Sequence, residues 1–180
     1  MAWACYHLRM RKFSIPSVIT VFAAACVFVA CSPKFDWRDY RSADAPYNAL
    51  FPGKPSTHTR AIDLDGMQVD MTMTAAEVNG NTFAVGSATL PDAAKAPAAL
   101  VAMKTALLNN ISGTAKATPA TAPANSIDIE ASGMQNGKPV LLVGRFLAQD
   151  KRIYQIIVLA KEKQVSRENI DMFMSSFKLN

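Results

Sequence analysis

Four short turn sequences constrain this chain more than any other feature, because each separates two runs in which apolar and polar residues alternate. They are Asp65-Gly66, Asn79-Gly80, Asn136-Gly137 and Asp150-Lys151. Asp-Gly and Asn-Gly are preferred in two-residue hairpin turns, whose central residues adopt a positive φ. The alternation predicts mostly antiparallel strands, over residues 47–51, 57–64, 67–78, 82–90, 127–132, 140–148 and 153–160.

Two segments have the periodicity of helices. Residues 94–111 carry apolar side chains on one face, at Leu100, Met103, Leu107 and Ile111, and Gly113 is expected to end this helix in a left-handed conformation. Ser166 is expected to cap a second helix, whose apolar stripe is Ile170, Phe173, Met174 and Phe177. Runs of strands with helices between them predict an α+β fold, with a central sheet of about 6–7 strands flanked by two main helices.

The two most apolar strands, 140–148 and 153–160, are expected at the centre of the sheet, with both faces covered. Residues 32–46 show no sustained period, although they contain Trp37 and Tyr40. Both aromatic side chains are expected to pack on the domain, with a membrane interface as the alternative. Residues 31–46 are therefore interpreted as a tether and residues 47–180 as a single domain.

The first 30 residues are predicted to be an export signal. Arg9, Arg11 and Lys12 precede ten consecutive apolar residues, 21–30. A run of this length suits a signal peptide better than a membrane-spanning helix, which needs roughly 20 apolar residues. Two alternatives stay open: retention of the segment as a single-pass anchor helix, and secretion without lipid after cleavage at Ala23-Ala24-Ala25.

The end of this segment, Phe28-Val29-Ala30-Cys31, resembles the lipobox of bacterial lipoproteins, with Phe28 in place of the usual Leu. The resemblance implies that Cys31 becomes the lipidated first residue, with acyl chains such as palmitate attaching the chain to a membrane. Ser32 in the second position resembles lipoproteins sent to the outer membrane of Gram-negative bacteria. A location on the periplasmic side of that membrane is therefore expected.

The net charge of +5 comes largely from the signal segment. Arg9, Arg11 and Lys12 are unopposed by any acid within residues 1–30, so about +2 remains for residues 31–180. The downstream basic residues are interleaved with acidic ones, which argues against nucleic-acid binding. No cysteine follows Cys31, so the domain is expected to lack disulfides, thiolate metal sites and a cysteine nucleophile.

Four short features resemble those of a known family. They are Tyr47-x-x-x-Phe51-Pro-Gly-Lys-Pro55, a later Gly/Lys turn before a hydrophobic strand, Arg152-x-Tyr154 at the start of the next strand, and a terminal Phe173-Met-Ser-Ser-Phe177-Lys-Leu. Residues 47–179 look like the small secreted bacterial proteins of the PsbP-like, or Mog-type, α/β/α sandwich. The resemblance implies a central antiparallel sheet flanked by helices that serves as an assembly or binding module, and it carries over no catalytic residue.

No catalytic or metal-binding group of residues is predicted. His58 is the only histidine beyond the signal segment and lies in sequence near Lys54 and Arg60, which is typical of a solvated basic patch. The spacing of the nearby acids does not fit a calcium loop, at Asp63, Asp65 and Asp70. The methionines are expected to fill the core, at positions 71, 73, 103, 172 and 174.

These observations predict a non-catalytic envelope lipoprotein without cofactor or metal, acting as a binding or assembly module for an unidentified envelope protein. One alternative is a carrier that holds an apolar ligand in a cavity between sheet and helix. Another is a single-pass domain on an uncleaved N-terminal helix. An enzyme whose polar site is assembled from distant residues ranks last.

Overall fold

The computed structural model describes residues 35–116, 125–161 and 164–180. The signal segment and Cys31 lie outside these residues. The strands are β1 (Arg38–Arg41), β2 (Tyr47–Phe51), β3 (Ser56–Leu64), β4 (Met67–Val78), β5 (Asn81–Thr89), β6 (Thr114–Ala115), β7 (Ser126–Gln135), β8 (Lys138–Gln149), β9 (Arg152–Lys161) and β10 (Lys178–Leu179). The helices are α1 (Ala96–Asn110), which follows a 3-10 turn at Ala93–Lys95, and α2 (Arg167–Ser176).

Seven strands form one antiparallel sheet in the order β3-β4-β5-β9-β8-β7-β6. Hairpins join β3 to β4, β4 to β5, β7 to β8, and β8 to β9. The pairing of β5 with β9 brings together segments that are distant in sequence and unites the two halves. The prediction of a mostly antiparallel sheet with two helices is confirmed.

The turn residues adopt the backbone conformation that their sequences predict. Asp65 and Gly66 have φ values of 55° and 79°, and Asn79-Gly80 and Asn136-Gly137 repeat this pair of positive angles. Each dipeptide therefore closes a two-residue turn of the type whose twist matches that of the flanking strands. Asp150 also has a positive φ, and Gln149 pairs with Arg152 across the fourth turn.

The central strand of the seven is β9, which lies between β5 and β8, and both β5 and β9 have buried side chains on both faces. The prediction for 153–160 is thus confirmed. For 140–148 the central position is confirmed, but coverage of both faces is incomplete, because β8 alternates between buried and half-buried residues. The helix α2 lies mainly against β2 and β9. On the face of the sheet that α2 covers, the side chains of β8 are therefore buried only in part.

One face of the sheet is covered by α1. Leu100 and Met103 are buried there, in a core with side chains from the strands that include Val69, Met71, Leu142, Phe146 and Ile153. The predicted apolar face is confirmed, because Leu100, Met103 and Ile111 are buried and Leu107 packs against the same core. The outer side of α1 is mixed, with Val101 50% exposed beside the exposed Thr105 and Asn109.

The end of α1 differs from the expectation. Ser112, not Gly113, has the positive φ, at 45°. Gly113 is needed for space, because a Cβ there would lie 2.7 Å from the Ile111 side chain. Its N–H donates to the Leu108 carbonyl at 2.9 Å, which closes the helix.

The opposite face is covered by α2 and by a second sheet in the order β1-β2-β10. Ser166 caps α2 as predicted, accepting a hydrogen bond from the Asn169 N–H at 3.3 Å. Ile170 and Phe173 of the predicted stripe are buried. Aromatic rings dominate this core, among them Tyr47, Phe51, Phe83, Tyr154, Phe173 and Phe177.

Part of the segment interpreted as a tether is folded. Residues 38–41 form β1, which pairs with β2 from Arg38 opposite Phe51 to Arg41 opposite Asn48. Trp37 and Tyr40 pack on the aromatic core, as expected. Described residues before Tyr47 therefore pack with the domain, since β1 pairs with a strand that lies later in the chain.

The methionines are not all in the core. Met71 and Met103 are buried, whereas Met172 is 43% exposed. The prediction is wrong for Met172, because this residue lies on the outer side of α2, away from Ile170 and Phe173.

Candidate functional site

The strand β3 forms an open edge of the main sheet. In the part of the chain that the structure describes, β3 is the terminal strand and pairs only with β4. Residues 56–61 are all exposed, and Leu64 is the strand's buried residue. An open edge presents backbone N–H and C=O groups to whatever approaches it.

The hairpin register determines which backbone groups point outward. Leu64 and Met67 flank a two-residue turn, so they exchange the first pair of ladder hydrogen bonds, and hydrogen-bonded pairs then alternate along the strands. Even-numbered residues of β3 consequently bond to β4. The N–H and C=O groups of Thr57, Thr59, Ala61 and Asp63 point away from the sheet.

Cross-strand threonine pairs agree with this register. Thr57 Oγ1 lies 2.9 Å from Thr74 Oγ1, and Thr59 Oγ1 lies 2.8 Å from Thr72 Oγ1. Side chains approach each other most closely in pairs whose backbones are not bonded to each other. The two threonine pairs hold the edge strand against β4 while its outward backbone groups stay accessible.

The edge is also connected to the aromatic core. The Tyr40 hydroxyl lies 3.3 Å from Thr57 Oγ1, and Thr74 interacts with the Tyr47 hydroxyl. Thr74 is only 1% exposed. Burial raises the pKa of Tyr47 above its usual 10.0, so this hydroxyl stays protonated at neutral pH.

The structure places His58 and Arg60 on the edge strand, both exposed. They lie on the α1 face of the sheet, opposite Met73 and Met71 respectively. Lys54 is exposed two residues before β3 begins. The basic patch expected from the sequence therefore lies along the open edge.

The three aspartates considered for calcium do not converge on a site. Asp63 accepts hydrogen bonds from the Gly66 N–H at 2.8 Å and from Gln68 Nε2 at 3.0 Å, which is the chemistry of a turn. Within residues 35–116, 125–161 and 164–180, no three His, Cys, Asp or Glu side chains lie close enough to hold a metal ion.

The charged residues near the other edge of the sheet are paired with one another. Glu130 accepts from Arg167 at 2.6 Å and from Lys116 at 3.0 Å. These hydrogen bonds lower the pKa of Glu130 below 4.5. Arg145 forms a two-point contact with Asp128, at 2.8 and 3.0 Å. These groups stabilise strand and helix positions rather than forming a reactive cluster.

Two of the surface grooves lined by described residues lie beside α1 and beside Arg152. One, of about 750 Å³, runs beside the outer side of α1 and the turn at Asp65, and includes Val101 and Thr105. The other, of about 570 Å³, is polar and lies near Asp44, Asp70, Ser87 and Arg152. Both are open to solvent.

Sequence reasoning missed the accessible backbone of β3. The available signal was the composition of residues 56–61, which are polar apart from Ala61 although they lie in a strand. A strand of this kind is typical of a sheet edge. Cys31, the lipidation site predicted from the sequence, lies outside the described residues.

No helix in the described ranges is long and apolar enough to cross a membrane. Comparisons with protein-family models, with curated proteins and with solved structures find no match.

Proposed function

We propose that this chain is a non-catalytic lipoprotein of the bacterial envelope, anchored through Cys31, whose domain binds an extended segment of a partner protein along β3. The observation that carries this proposal is the nine-residue edge strand with one side open. Added strands gain affinity from backbone hydrogen bonds, which here would involve Thr57, Thr59, Ala61 and Asp63.

The charges of the edge favour another protein over a second copy of this chain. If two β3 strands paired antiparallel about their midpoint, Arg60 would lie directly opposite its own copy. Like charges in such a pair are destabilising. A partner segment with an acidic residue opposite Arg60 and a neutral one opposite His58 would avoid this repulsion.

Membrane attachment rests on the likeness of residues 28–31 to a lipobox and on the signal segment before it. Ser32 supports the outer membrane as the destination. The likeness of residues 47–179 to PsbP-like proteins supports a binding or assembly role. A mostly antiparallel sheet with α1 and α2 packed on opposite faces is compatible with that family.

The packing of the domain favours this proposal over a ligand carrier. Side chains such as Leu100, Met103 and Phe146 fill the layer between α1 and the sheet. The two grooves are open, whereas carriers bury most of the surface of their ligand.

Attachment is tested by metabolic labelling with a palmitate analogue. The wild-type chain should incorporate the label, and Cys31→Ala should not. Equal labelling of the two, or recovery of the native protein with residues 1–30 still attached, would contradict the lipoprotein assignment.

Edge binding is tested by a matched pair of variants, Thr59→Pro and Thr59→Ala. Proline removes an outward N–H without breaking the ladder to β4, whereas alanine keeps it. A photo-crosslinking residue at position 61 should give a discrete adduct in the Thr59→Ala protein and in an otherwise unmodified chain, and none in Thr59→Pro. Adducts that are equally strong from position 151, in the turn between β8 and β9, would show that binding is not specific to β3.

A further inference from the structure

We infer that the domain rests on an anionic lipid surface with one defined end: the end that carries Phe35 and the turns Asn79-Gly80 and Asn136-Gly137. This inference rests on the proposed lipid anchor at Cys31. It adds an orientation to that anchor, and it identifies the surface by its chemistry, as negatively charged phospholipid.

The length of chain after the anchor requires the domain to lie close to the membrane. Phe35 is the fourth residue after Cys31, so even a fully extended backbone spans at most about 14 Å between their Cα atoms. The end of the domain at which Phe35 lies must therefore be near the lipid surface.

Phe35 lies at a specific end of the sheet. Its ring centroid is 6.2 Å from that of Phe83, two residues after β5 begins. The neighbouring Asp36 N–H donates to the Pro52 carbonyl at 3.1 Å, just beyond the end of β2. This places the chain entry beside the Asn79-Gly80 turn.

Lysines are concentrated at the same end. The Lys161 ammonium lies over Gly80. Lys161 pairs with Val140 of β8, and the exposed Lys138 lies two residues before Val140. Lys54 is exposed just after Pro52. Among the described residues, the acids at this end are the exposed Glu77, Glu168 and Asp36, of which Asp36 is paired with Arg38, so the three lysines outnumber the two unpaired acids.

Exposed apolar groups accompany these lysines. Met134 is 49% exposed and pairs with the exposed Pro139 next to the Asn136-Gly137 turn. Its N–H donates to the Ile111 carbonyl at 2.6 Å, which fixes the strand at this point. Phe35 and Trp37 are stacked with centroids 5.9 Å apart and are only half-buried. Half-exposed aromatic rings and basic residues are the groups that favour a membrane interface.

The opposite end of the sheet is unsuited to an anionic surface. It contains the exposed turn residues Asp65 and Asp150, and further exposed aspartates lie nearby, at Asp44, Asp63 and Asp92. Basic residues are interleaved with them, at Arg41, Lys95, Lys151 and Arg152. Electrostatic attraction and the short connection to Cys31 therefore favour the same orientation.

The test uses the full chain, lipidated in cells and reconstituted into vesicles of phosphatidylethanolamine and phosphatidylglycerol at 3:1. A fluorophore is attached to a cysteine at Met134→Cys or, as the far-end control, at Asp65→Cys. Lipids with quencher-bearing acyl chains should quench the label at position 134 several-fold more than the label at position 65.

Replacing Lys54, Lys138 and Lys161 together by glutamine should decrease the ratio of docked to undocked domain on the order of a hundredfold, because each lysine near such a surface contributes about fivefold. The matched variant replaces Lys95, Lys151 and Lys178. It should leave the quenching ratio unchanged. The circular dichroism spectrum of the vesicle-bound protein should be the same for both variants as for the wild type.

The outcomes separate the two proposals. Equal quenching at positions 134 and 65, with palmitate still attached to Cys31, would overturn the orientation and leave the anchor intact. Absence of lipid on Cys31 would overturn both. Strong quenching at position 134 that survives the triple glutamine variant would also overturn the electrostatic basis of the orientation.

Discussion

Gln155 occupies the space that a side chain at Gly86 would need. The two residues are register partners in β9 and β5, and the Gln155 amide Nε2 donates to the Met73 sulfur at 3.0 Å across the glycine. A Cβ on Gly86 would lie 2.7 Å from Gln155 Cγ and 2.5 Å from Met73 Sδ. A glycine in the doubly covered strand β5 therefore permits a polar contact inside the core beneath α1.

We expect Gly86→Ala to destabilise the domain by about 1–3 kcal/mol, as overpacking of a filled core does. Gly144→Ala, in β8 of the same sheet, is the matched control, because its Cβ would meet nothing closer than Ile129 at 3.3 Å. Urea unfolding of both variants measures the difference. Equal losses would show that the contact with Gln155 is not the cause.

Ser176 links the end of α2 to the second sheet. Its Oγ accepts the Leu50 N–H at 2.9 Å and donates to the Phe173 carbonyl at 2.7 Å. Ser176→Ala should cost about 1–2 kcal/mol, because a partly buried N–H loses its acceptor. Ser175→Ala, at an exposed neighbour, should change the free energy of unfolding by less than about 0.5 kcal/mol. The prediction is wrong if the two serines behave alike.

The Tyr154 hydroxyl is buried, and it has no hydrogen-bond partner among the described residues. Tyr154→Phe removes this unsatisfied group and keeps the ring contacts with Tyr47 and Phe177. The variant should be more stable than wild type by about 1 kcal/mol. Tyr47→Phe, which loses the interaction with Thr74, should be less stable. Thermal unfolding at neutral pH measures the three stabilities. The prediction is refuted if Tyr47→Phe unfolds at a higher temperature than Tyr154→Phe.

Glu130 should make the stability of the domain sensitive to acid. Hydrogen bonds from Arg167 and Lys116 lower its pKa in the folded state below 4.5. Its contribution is therefore complete above the unfolded pKa and is lost as the pH falls through the lower, folded pKa. Unfolding free energies measured between about pH 6 and pH 2 should fall less steeply in Glu130→Gln than in wild type. If the unfolding free energy of both proteins fell equally steeply with pH, Glu130 would not be the source of the acid sensitivity.

Local sequence was sufficient to predict most of the strands and helices. Asp65-Gly66 and Asn79-Gly80 close their hairpins because two adjacent residues determine the positive φ values of such a turn. Ser166 predicts the start of α2 for a similar reason, since a cap needs only one side chain and the next backbone N–H groups.

The second sheet could not be predicted in this way. Lys178 pairs with Asn48, and residues 38–41 form a strand only because β2 lies beside them. Neither short segment alternates clearly by itself. The sequence also did not show that β8 would be covered less than β9, because coverage depends on where α2 packs.

The sequence by itself determined the local elements: the turns, the caps, the apolar periods and the likeness of residues 28–31 to a lipobox. Tertiary structure alone decided that β9 inserts between β5 and β8, that Gly86 lies beneath Gln155, and that β3 is left at an edge. The physical reason is that turns and caps depend on neighbouring residues, whereas strand order depends on contacts between residues far apart in the chain. The accessible groups of Thr57, Thr59, Ala61 and Asp63 follow from that order.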